Sequence, residues 1–342
     1  MEQSNNINNN QMDPNLNSHE KKRAYLGIDV GSVSCNVVAI DSNGKLFFKR
    51  YIRTQGQPIQ AIKFGLFEAS EELKKYEIAG VGTTGSGRIL AGFLVGADIV
   101  KNEITAHATA AGSEVPEVRT VIEIGGQDSK IIILEDGIVT DFAMNTVCAA
   151  GTGSFLDQQC SRLGIKIEDF GDLALQSESG VSISGRCTVF AESDMIHKQQ
   201  IGAKREDIIR GLCEALVRNY LNNIGKGKDI EEPIVFQGGV AANKGIKAEF
   251  EKALGKKVTI PEHFDVMGAL GAALLAKEAK LEKSKFKGFD ISKHQFETTA
   301  FHCPDCTNNC EVVEFKENGK VTARWGDRCG KWAENLDKRP KV

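Results

Sequence analysis

The sequence predicts a two-lobed α/β protein with a small cysteine-rich segment near its C-terminal end. Three observations support this prediction: a strand–turn–strand pattern that occurs twice, amphipathic helices between strands, and four cysteines gathered after residue 300. The 342 residues allow two to three units of ordinary domain size. An apolar fraction of 41% and a charged fraction of 26% are typical of a globular protein.

Composition excludes several classes of protein. No stretch approaches the roughly 18 uncharged apolar residues that a membrane-spanning helix needs. The first residues lack the basic-then-apolar order of a secretory signal. A net charge of −3 with mixed signs argues against nucleic-acid binding. We therefore expect a cytoplasmic protein that binds neither membranes nor nucleic acid, whose cysteines serve metal or redox chemistry rather than disulfides.

The ordered part of the chain follows an Asn-rich N-terminal stretch. Residues 1–23 have no apolar periodicity, and we expect them to be a disordered tail. Apolar runs, turn residues and helical spacing then predict, in order, strand 25–31, strand 35–40, hairpin turn 41–44, strand 45–53, helix 58–76 and strand 79–83.

The strand–turn–strand pattern of residues 25–44 occurs again at residues 120–137. Each copy has a strand that ends in an acidic residue, one further residue and glycine: Asp29-x-Gly31 in the first and Glu123-x-Gly125 in the second. The copies start about 95 residues apart, which is the size of one α/β lobe. We therefore predict lobes at 24–118 and 119–280, with a ligand cleft between them.

The second half of the chain is rich in helices. Apolar periodicity predicts helices at 153–163, 205–224 and 265–280, and Gly164 is expected to stop the first of them. An apolar run that ends in a glycine pair predicts a buried strand at 233–239. The lysine-rich residues 281–300 are interpreted as a linker. It leads to a final unit at 301–335, which carries four of the nine cysteines.

Glycine and carboxylate residues at the strand ends indicate a nucleotide site. Glycine lets backbone N–H groups approach phosphate oxygens, because a Cβ atom would block them. A carboxylate beside such a loop can hold Mg²⁺, and Asp29 and Asp128 are the natural pair. One such turn is also typical of an ordinary hairpin, but two copies and the third glycine turn, Gly238-Gly239, favour a nucleotide. The sequence has no Walker A motif, which excludes a P-loop ATP site.

The three glycine turns resemble the phosphate-1, phosphate-2 and adenosine motifs of the actin/sugar-kinase-like (ASKHA) fold. That fold is shared by actin, heat-shock chaperone ATPases and sugar kinases, and it contains duplicated ribonuclease-H-like subdomains. The resemblance implies that ATP or ADP binds with Mg²⁺ between the lobes. Asp29 and Asp128 are then expected to orient the attacking water, with help from Gln127. The residues expected beside the nucleotide are Gly31, Ser32, Gly125, Gly126, Gln127, Gly238 and Gly239.

Two cysteines lie beside glycine-rich turns inside the second lobe. Cys148 precedes the predicted helix 153–163, and Cys187 follows a turn at Gly185. A thiolate at a helix N-terminus has a lowered pKa and favours a metal or cluster. Two cysteines cannot complete a four-ligand cluster, but a homodimer supplies four. From position alone, two buried structural thiols are the simpler interpretation.

The order of all these motifs resembles one family of ATPases. The sequence resembles the activators of 2-hydroxyacyl-CoA dehydratases and the benzoyl-CoA reductase ATPase subunits. The motifs that carry this resemblance are, in order, Asp29-x-Gly31, the run from Glu123 to Lys130, the run from Cys148 to Phe155, Gly185-Arg-Cys187 and Gln237-Gly-Gly. The resemblance covers residues 24–280.

This resemblance implies one [4Fe–4S] cluster that bridges a homodimer, with Cys148 and Cys187 of each protomer as its ligands. It also implies that ATP turnover drives one electron onto a partner iron–sulfur enzyme. The partner is a dehydratase of this kind or a double-cubane cluster reductase, and ferredoxin or flavodoxin is the expected donor.

Four cysteines near the end of the chain form a separate pattern. A hairpin predicted around Asn318-Gly319 would return the last cysteine to the first three. Zn²⁺ is the first interpretation, a second iron–sulfur cluster is the alternative, and a disordered Cys-rich tail remains open. The cysteines concerned are Cys303, Cys306, Cys310 and Cys329.

The remaining thiols and one histidine are interpreted as structural. Packing accounts for Cys35, Cys160 and Cys213, and His107 is expected to be a packed or capping residue. Two other functions stay open for the chain as a whole. One is a small-metabolite kinase of the same fold without a redox cluster, and the other is an ATP-dependent scaffold or chaperone-like switch.

Overall fold

Apolar runs in the N-terminal third form a five-stranded mixed sheet. The computed structural model describes residues 22–336, so most of the predicted N-terminal tail lies outside the described residues, and Lys22 already belongs to the first strand. The strands are β1 Lys22–Val30, β2 Ser34–Asp41, β3 Leu46–Arg53, β4 Tyr76–Thr84 and β5 Ile99–Val100, in the order β3-β2-β1-β4-β5.

A second sheet has the same topology. Its strands are β6 Thr120–Ile124, β7 Ser129–Glu135, β8 Ile138–Asn145, β9 Ile234–Gln237 and β10 Val258–Thr259, in the order β10-β9-β6-β7-β8. In both sheets the first two strands are an antiparallel hairpin, and the fourth strand pairs parallel with the first. The predicted repeat and the predicted α/β architecture are therefore confirmed.

Nine α-helices of the described chain surround and separate these sheets. They are α1 Pro58–Leu73, α2 Arg88–Val95, α3 Glu103–Glu114, α4 Gly153–Leu163, α5 Ile167–Leu175, α6 Thr188–Gln200, α7 Arg205–Tyr220, α8 Lys244–Leu254 and α9 Met267–Glu278. None of the helices in the described part is both long and apolar enough to cross a membrane.

Helices α3 and α9 lie between the two sheets. One buried cluster joins Tyr25 and Val38 of the first sheet with Val121 of the second through alanine-rich faces of both helices. The boundary predicted at residues 118 and 119 places α9 in the second lobe alone. In the structure α9 also covers β1 and β4, because glycines on those strands let its backbone approach closely.

Helices α4–α7 form an insert between β8 and β9. Their apolar faces pack on β6 and β7 in the largest buried cluster, around Phe155, Leu212 and Phe236. Helix α4 ends at Gly164, which adopts a left-handed conformation with φ of +63°, as the stop signal predicts. Helix α7 differs from its predicted end at residue 224, since the turn Leu221–Gly225 is a π-helix.

Residues 281–336, here called the C-terminal module, pack on the first lobe. Their sheet has three antiparallel strands, β11 Phe296–His302, β12 Glu311–Glu317 and β13 Lys320–Trp325. Residues 281–300 therefore differ from the predicted linker. Ile291, Phe315 and Ala323 are buried in the same core cluster as β1 and β2, so apolar contact holds this stretch in place.

Candidate functional site

The predicted nucleotide residues line a single cavity of about 260 Å³ between the two lobes. The β1–β2 turn contributes one wall and the β6–β7 turn the other. Every residue that the glycine and carboxylate patterns assigned to the nucleotide or to Mg²⁺ reaches this cavity. These are Asp29, Gly31, Ser32, Gly125, Gly126, Gln127, Asp128, Gly238 and Gly239.

The two hairpin turns are closed in the same way. The Gly31 N–H donates to the Ser34 carbonyl at 2.9 Å, and the Gly125 N–H donates to the Asp128 carbonyl at 3.0 Å. The third turn needs glycine for its conformation, because Gly238 has φ of +88° and a Cβ there would lie 2.8 Å from the Glu123 carboxylate. The repeated turns thus present backbone to the cavity where side chains would fill it.

Lys130 holds the carboxylates of the cavity floor together. Its Nζ lies 2.8 Å from Glu103, 3.0 Å from Glu123 and 2.9 Å from Asp128, and the side chain is buried. Although burial lowers the pKa of Lys130, the carboxylates of Glu123, Asp128 and Glu103 raise it well above its ordinary value. Lys130 is therefore a fixed positive charge beneath the site.

The floor carries more carboxylate than Lys130 can neutralise. Burial raises the pKa of Asp29 to about 7, and the neighbouring Glu103 carboxylate contributes to the rise. Burial raises the pKa of Glu123 to about 7 as well, against the opposing charge of Lys130. A divalent cation at the floor would offset this excess negative charge, which is the condition under which Mg²⁺ binds carboxylates.

His107 reaches the cavity from helix α3. It is buried, as predicted for a packed residue, and its Nδ1 lies 2.8 Å from the Gln237 side-chain nitrogen. Burial, with a smaller effect of Lys130, lowers the pKa of His107 to about 3, so the ring is neutral. It therefore adds no charge to the site.

Sequence reasoning missed Glu103 and the role of Lys130. A lysine inside the buried strand run Ser129–Glu135 was a visible signal, since a buried lysine requires partners. Glu103 gave no such signal, because only the packing of α3 against the second lobe brings it to Lys130.

A second cavity of about 240 Å³ adjoins the first and is more apolar. It shares Gly125, Gly126 and Gly239 with the first cavity and continues between the start of α4 and the glycine turn after β9. Leu156, Ile167, Val240 and Ala242 line it. A polar cavity joined to an apolar one suits a ligand with a phosphate chain and a flat base.

Cys148 and Cys187 are half-buried thiols, each at the start of a helical segment. Cys148 precedes the short 3₁₀ turn Ala149–Gly151 that leads into α4, and Cys187 caps the N-terminus of α6. Both cysteines are therefore N-cap residues, at the end of a helix or turn where the backbone dipole is positive. The side chain of Asn219 on α7 bonds to both segments, because its amide donates to the Gly185 carbonyl and contacts the Cys148 Sγ at 3.9 Å.

The Cys148 segment is bonded to the glycine loop of the cleft. At the start of α4 the Gly153 N–H donates to the Gly125 carbonyl at 2.9 Å. The next residue, Ser154, donates from its backbone N–H and its hydroxyl to the Gly126 carbonyl, at 2.8 and 2.6 Å. A shift of this loop would therefore move the first turn of α4.

The other internal thiols are packed, as predicted. Cys35, Cys160 and Cys213 are all buried in the apolar cores of the lobes. Burial raises the pKa of Cys35 and of Cys160 to about 12, so neither is a thiolate near neutral pH.

The structure does not assemble the predicted four-cysteine metal site. Cys303 is buried, and its Sγ accepts a bond from the Trp332 indole at 3.1 Å, whereas Cys306 and Cys329 are exposed and Cys310 is half-buried. Within residues 22–336, no three His, Cys, Asp or Glu side chains are grouped so as to hold a metal ion. The hairpin forms as expected, and Cys303 lies in a small buried cluster with Val312 and Trp332, against which Cys310 packs.

Comparison with known proteins extends these observations. Residues 26–276 match the model of the BadF/BadG/BcrA/BcrD ATPase family, so the C-terminal module lies outside the matched stretch. The chain is 38% identical over 259 residues to the (R)-2-hydroxyglutaryl-CoA dehydratase activating ATPase of Acidaminococcus fermentans, which covers 73% of this chain and 96% of that protein. It is 36% identical over 261 residues to the activator of lactoyl-CoA dehydratase of Anaerotignum propionicum, covering 75% and 99%.

A solved structure shows the same similarity in three dimensions. The activator of the 2-hydroxyisocaproyl-CoA dehydratase from Clostridium difficile, with bound ADPNP, superposes with a TM-score of 0.69 and 32% identity. The match covers 75% of this chain and 95% of that chain. The resemblance that the motif order predicted is confirmed, as is the actin/sugar-kinase-like fold.

Proposed function

Because the chain belongs to the BadF/BadG/BcrA/BcrD ATPase family, we propose that it is an ATP-dependent one-electron reductase component for a partner iron–sulfur enzyme. The observation that carries this proposal is the pair of half-buried thiols, Cys148 and Cys187, one of which lies on a segment bonded to the glycine loop of the cleft. A small-metabolite kinase of this fold would need no such thiols at that loop.

ATP binds with its phosphates in the polar cavity and its base in the adjoining apolar cavity. Asp29 and Asp128 hold Mg²⁺, while Gln127 and Asp128 orient the water that attacks the terminal phosphate. Lys130 keeps Asp128 in position through the 2.9 Å ion pair. The bound ADPNP of the similar Clostridium difficile activator structure supports nucleotide binding by this fold.

The thiols fit an iron–sulfur cluster by their chemistry. Cysteine thiolates are the ligands that such clusters take, and four are needed for a [4Fe–4S] cluster. Cys148 and Cys187 supply two, so two copies of the chain related by a two-fold axis supply the set. Bound there, the cluster would serve as a one-electron carrier.

Exposed apolar side chains beside the thiols support a homodimer. Val147 is 94% exposed, and Val189 and Phe190 in the first turn of α6 are 65% and 63% exposed. Val147 immediately precedes Cys148, and Val189 and Phe190 lie two and three residues after Cys187. Apolar groups of this size are usually covered by a partner surface when they cluster.

Backbone hydrogen bonds are the proposed connection between the nucleotide cleft and Cys148. ATP and ADP favour different closures of the lobes, and the bonds from Gly125 and Gly126 to the start of α4 carry the difference to Cys148. A ferredoxin or flavodoxin is the donor. The acceptor is a 2-hydroxyacyl-CoA dehydratase, in keeping with the names of the relatives, or a double-cubane cluster reductase.

Anaerobic purification of the full chain tests this proposal. We expect a brown dimer with about four irons and matching sulfide. Cys148→Ala should lose this iron, whereas Cys306→Ala, in the C-terminal module, should keep it. A colourless, iron-free protein that phosphorylates a small metabolite would instead identify the kinase.

A further inference from the structure

The last turn of helix α7 contacts both the cysteine segments and the strand beneath the cleft. Asn219 and Tyr220 are adjacent there, and both are buried. Successive residues of an α-helix point about 100° apart, so the two side chains reach different neighbours. Neither residue lines the two cavities of the cleft.

Asn219 connects the segments of the two thiols. Its amide nitrogen donates to the Gly185 carbonyl, two residues before Cys187, at 2.5 Å, and lies 3.9 Å from the Cys148 Sγ. The neighbouring Arg218 donates to the Ile183 carbonyl, which fixes the same segment two residues earlier. One buried amide thus sets the separation of two segments that are far apart in sequence.

Tyr220 connects the same helix to the cleft. Its hydroxyl donates to the backbone carbonyl of Lys130 at 2.7 Å. The side chain of Lys130 holds the three floor carboxylates. The Tyr220 ring also packs edge-to-face on Phe250, with 5.3 Å between ring centroids, so its orientation is fixed.

The helix changes its hydrogen-bonding pattern directly after this pair. Leu221–Gly225 is a π-helix, and Asn223 donates to the Asn219 side-chain oxygen at 3.0 Å across the junction. The π turn ends the helix, because Lys226 directly after it is extended. π turns in helices recur at functional sites. The side chain that touches the cysteine segments is therefore bonded to the irregular turn.

We propose that Asn219 and Tyr220 are positioning residues that link the state of the ATP cleft to the two cysteine segments through the end of α7. Tyr220 ties the helix to strand β7, and Asn219 sets the separation and environment of Cys148 and Cys187. This inference rests on the proposed function, in which Cys148 and Cys187 bind the same iron–sulfur cluster. It supplies a second connection, separate from the bonds between the glycine loop and α4.

The test uses the full chain, purified without oxygen, and measures iron release to a chelator with ADP or with a non-hydrolysable ATP analogue. In the unmodified protein the two nucleotides should give different rates. Tyr220→Phe keeps the ring and removes the hydroxyl, and it should bring the two rates within about twofold of each other. Asn219→Ala should speed release about tenfold or more with either nucleotide, in line with the loss of an outer ligand partner.

Two control variants match these changes. Asn222→Ala alters an exposed asparagine on the π turn, and Tyr76→Phe removes a hydroxyl far from α7; both should behave as the unmodified protein. Unchanged nucleotide dependence in Tyr220→Phe, together with unchanged release in Asn219→Ala, would overturn the proposal.

A second measurement separates this inference from the proposed function. Alkylation of Cys148 with the same nucleotides needs no iron. If the unmodified chain holds no iron, the proposed function fails. A nucleotide-dependent alkylation rate that Tyr220→Phe removes would still support the connection, and a rate that no nucleotide changes would refute it.

Discussion

Folding changes the pKa of the Glu123 carboxyl group, because it buries this side chain. Burial raises the pKa of its carboxyl from 4.5 to about 7. Between these values the folded protein binds a proton that the unfolded chain has released. The free energy of unfolding therefore falls as the pH rises through this range, when no Mg²⁺ or nucleotide is present.

Replacing Glu123 with glutamine should remove the part of this pH dependence that Glu123 contributes. Asp29 and His107 also have shifted pKa values, but both proteins share these two groups, so the comparison isolates Glu123. Between pH 4.5 and 7 the change in the free energy of unfolding should differ between the unmodified chain and Glu123→Gln by up to about 3 kcal/mol, with the larger decrease in the unmodified chain. Urea unfolding in EDTA at several pH values measures the difference. Glu135→Gln, at a 59% exposed side chain, is the control and should keep the original slope. Equal slopes in all three proteins would contradict the burial of this charge.

At the scale of single residues, the sequence was informative where a residue type has one physical use. Glycine after an acidic strand end predicted the loops of the cleft, because only glycine lets the backbone approach a phosphate. The sequence did not predict all the ion-pair partners of Lys130. Glu123 and Asp128 are near in sequence, but Glu103 is brought there by the packing of a helix that carries no pattern for it.

Helices α3 and α9 are in close backbone contact at Gly271. Gly271 on α9 faces the Ala106 carbonyl on α3, and an added methyl group would overlap that backbone. This contact lies between the two sheets, so its spacing sets how the lobes meet.

Gly271→Ala should therefore destabilise the protein by about 1–3 kcal/mol, as overpacking does. Gly112→Ala is the matched change on α3, where no atom lies within 4 Å of the new methyl group. It should stabilise by about 0.5–1 kcal/mol, because alanine favours a helix. Thermal unfolding of both variants measures whether each substitution raises or lowers the free energy of unfolding. An unchanged value for Gly271→Ala would show that the two helices can move apart without loss of stability.

At the scale of elements, the helix ends were predicted best where a residue specifies them. Gly164 stopped α4 as expected, since glycine adopts the left-handed cap readily. The π turn after Tyr220 was not predicted, because residues 221–225 continue the apolar spacing of a helix and carry no separate signal.

At the scale of the whole molecule, the C-terminal module and the first lobe share one apolar core. Phe315 of β12 is buried in the cluster that contains Ile28 and Leu66 of the first lobe. Trp325 stacks on Phe93 of α2 at 5.6 Å, and the Lys287 N–H donates to the Val95 carbonyl at 2.9 Å. Lysine content predicted a linker here, but the phenylalanines between the lysines decide the structure.

Phe315→Ala should consequently weaken the first lobe and not the module alone. We expect a loss of about 3–5 kcal/mol in the free energy of unfolding. Hydrogen exchange should show reduced protection of β2, although β2 is distant in sequence. Phe67→Ala on α1, where the ring is 61% exposed, should change stability by less than about 0.5 kcal/mol. Unchanged exchange in β2 would identify the module as an independent unit.

The position of α9 has a consequence for how the nascent chain matures on the ribosome. The inner face of β4 is covered by a helix that begins about 180 residues later in the sequence. At a translation rate of about 5–20 residues per second, α9 is synthesised about 10–40 s after β4, and the inner face of β4 stays uncovered during that time. The first sheet therefore emerges from the ribosome long before α9 can cover it, and we expect chaperones to bind mainly to this sheet during synthesis.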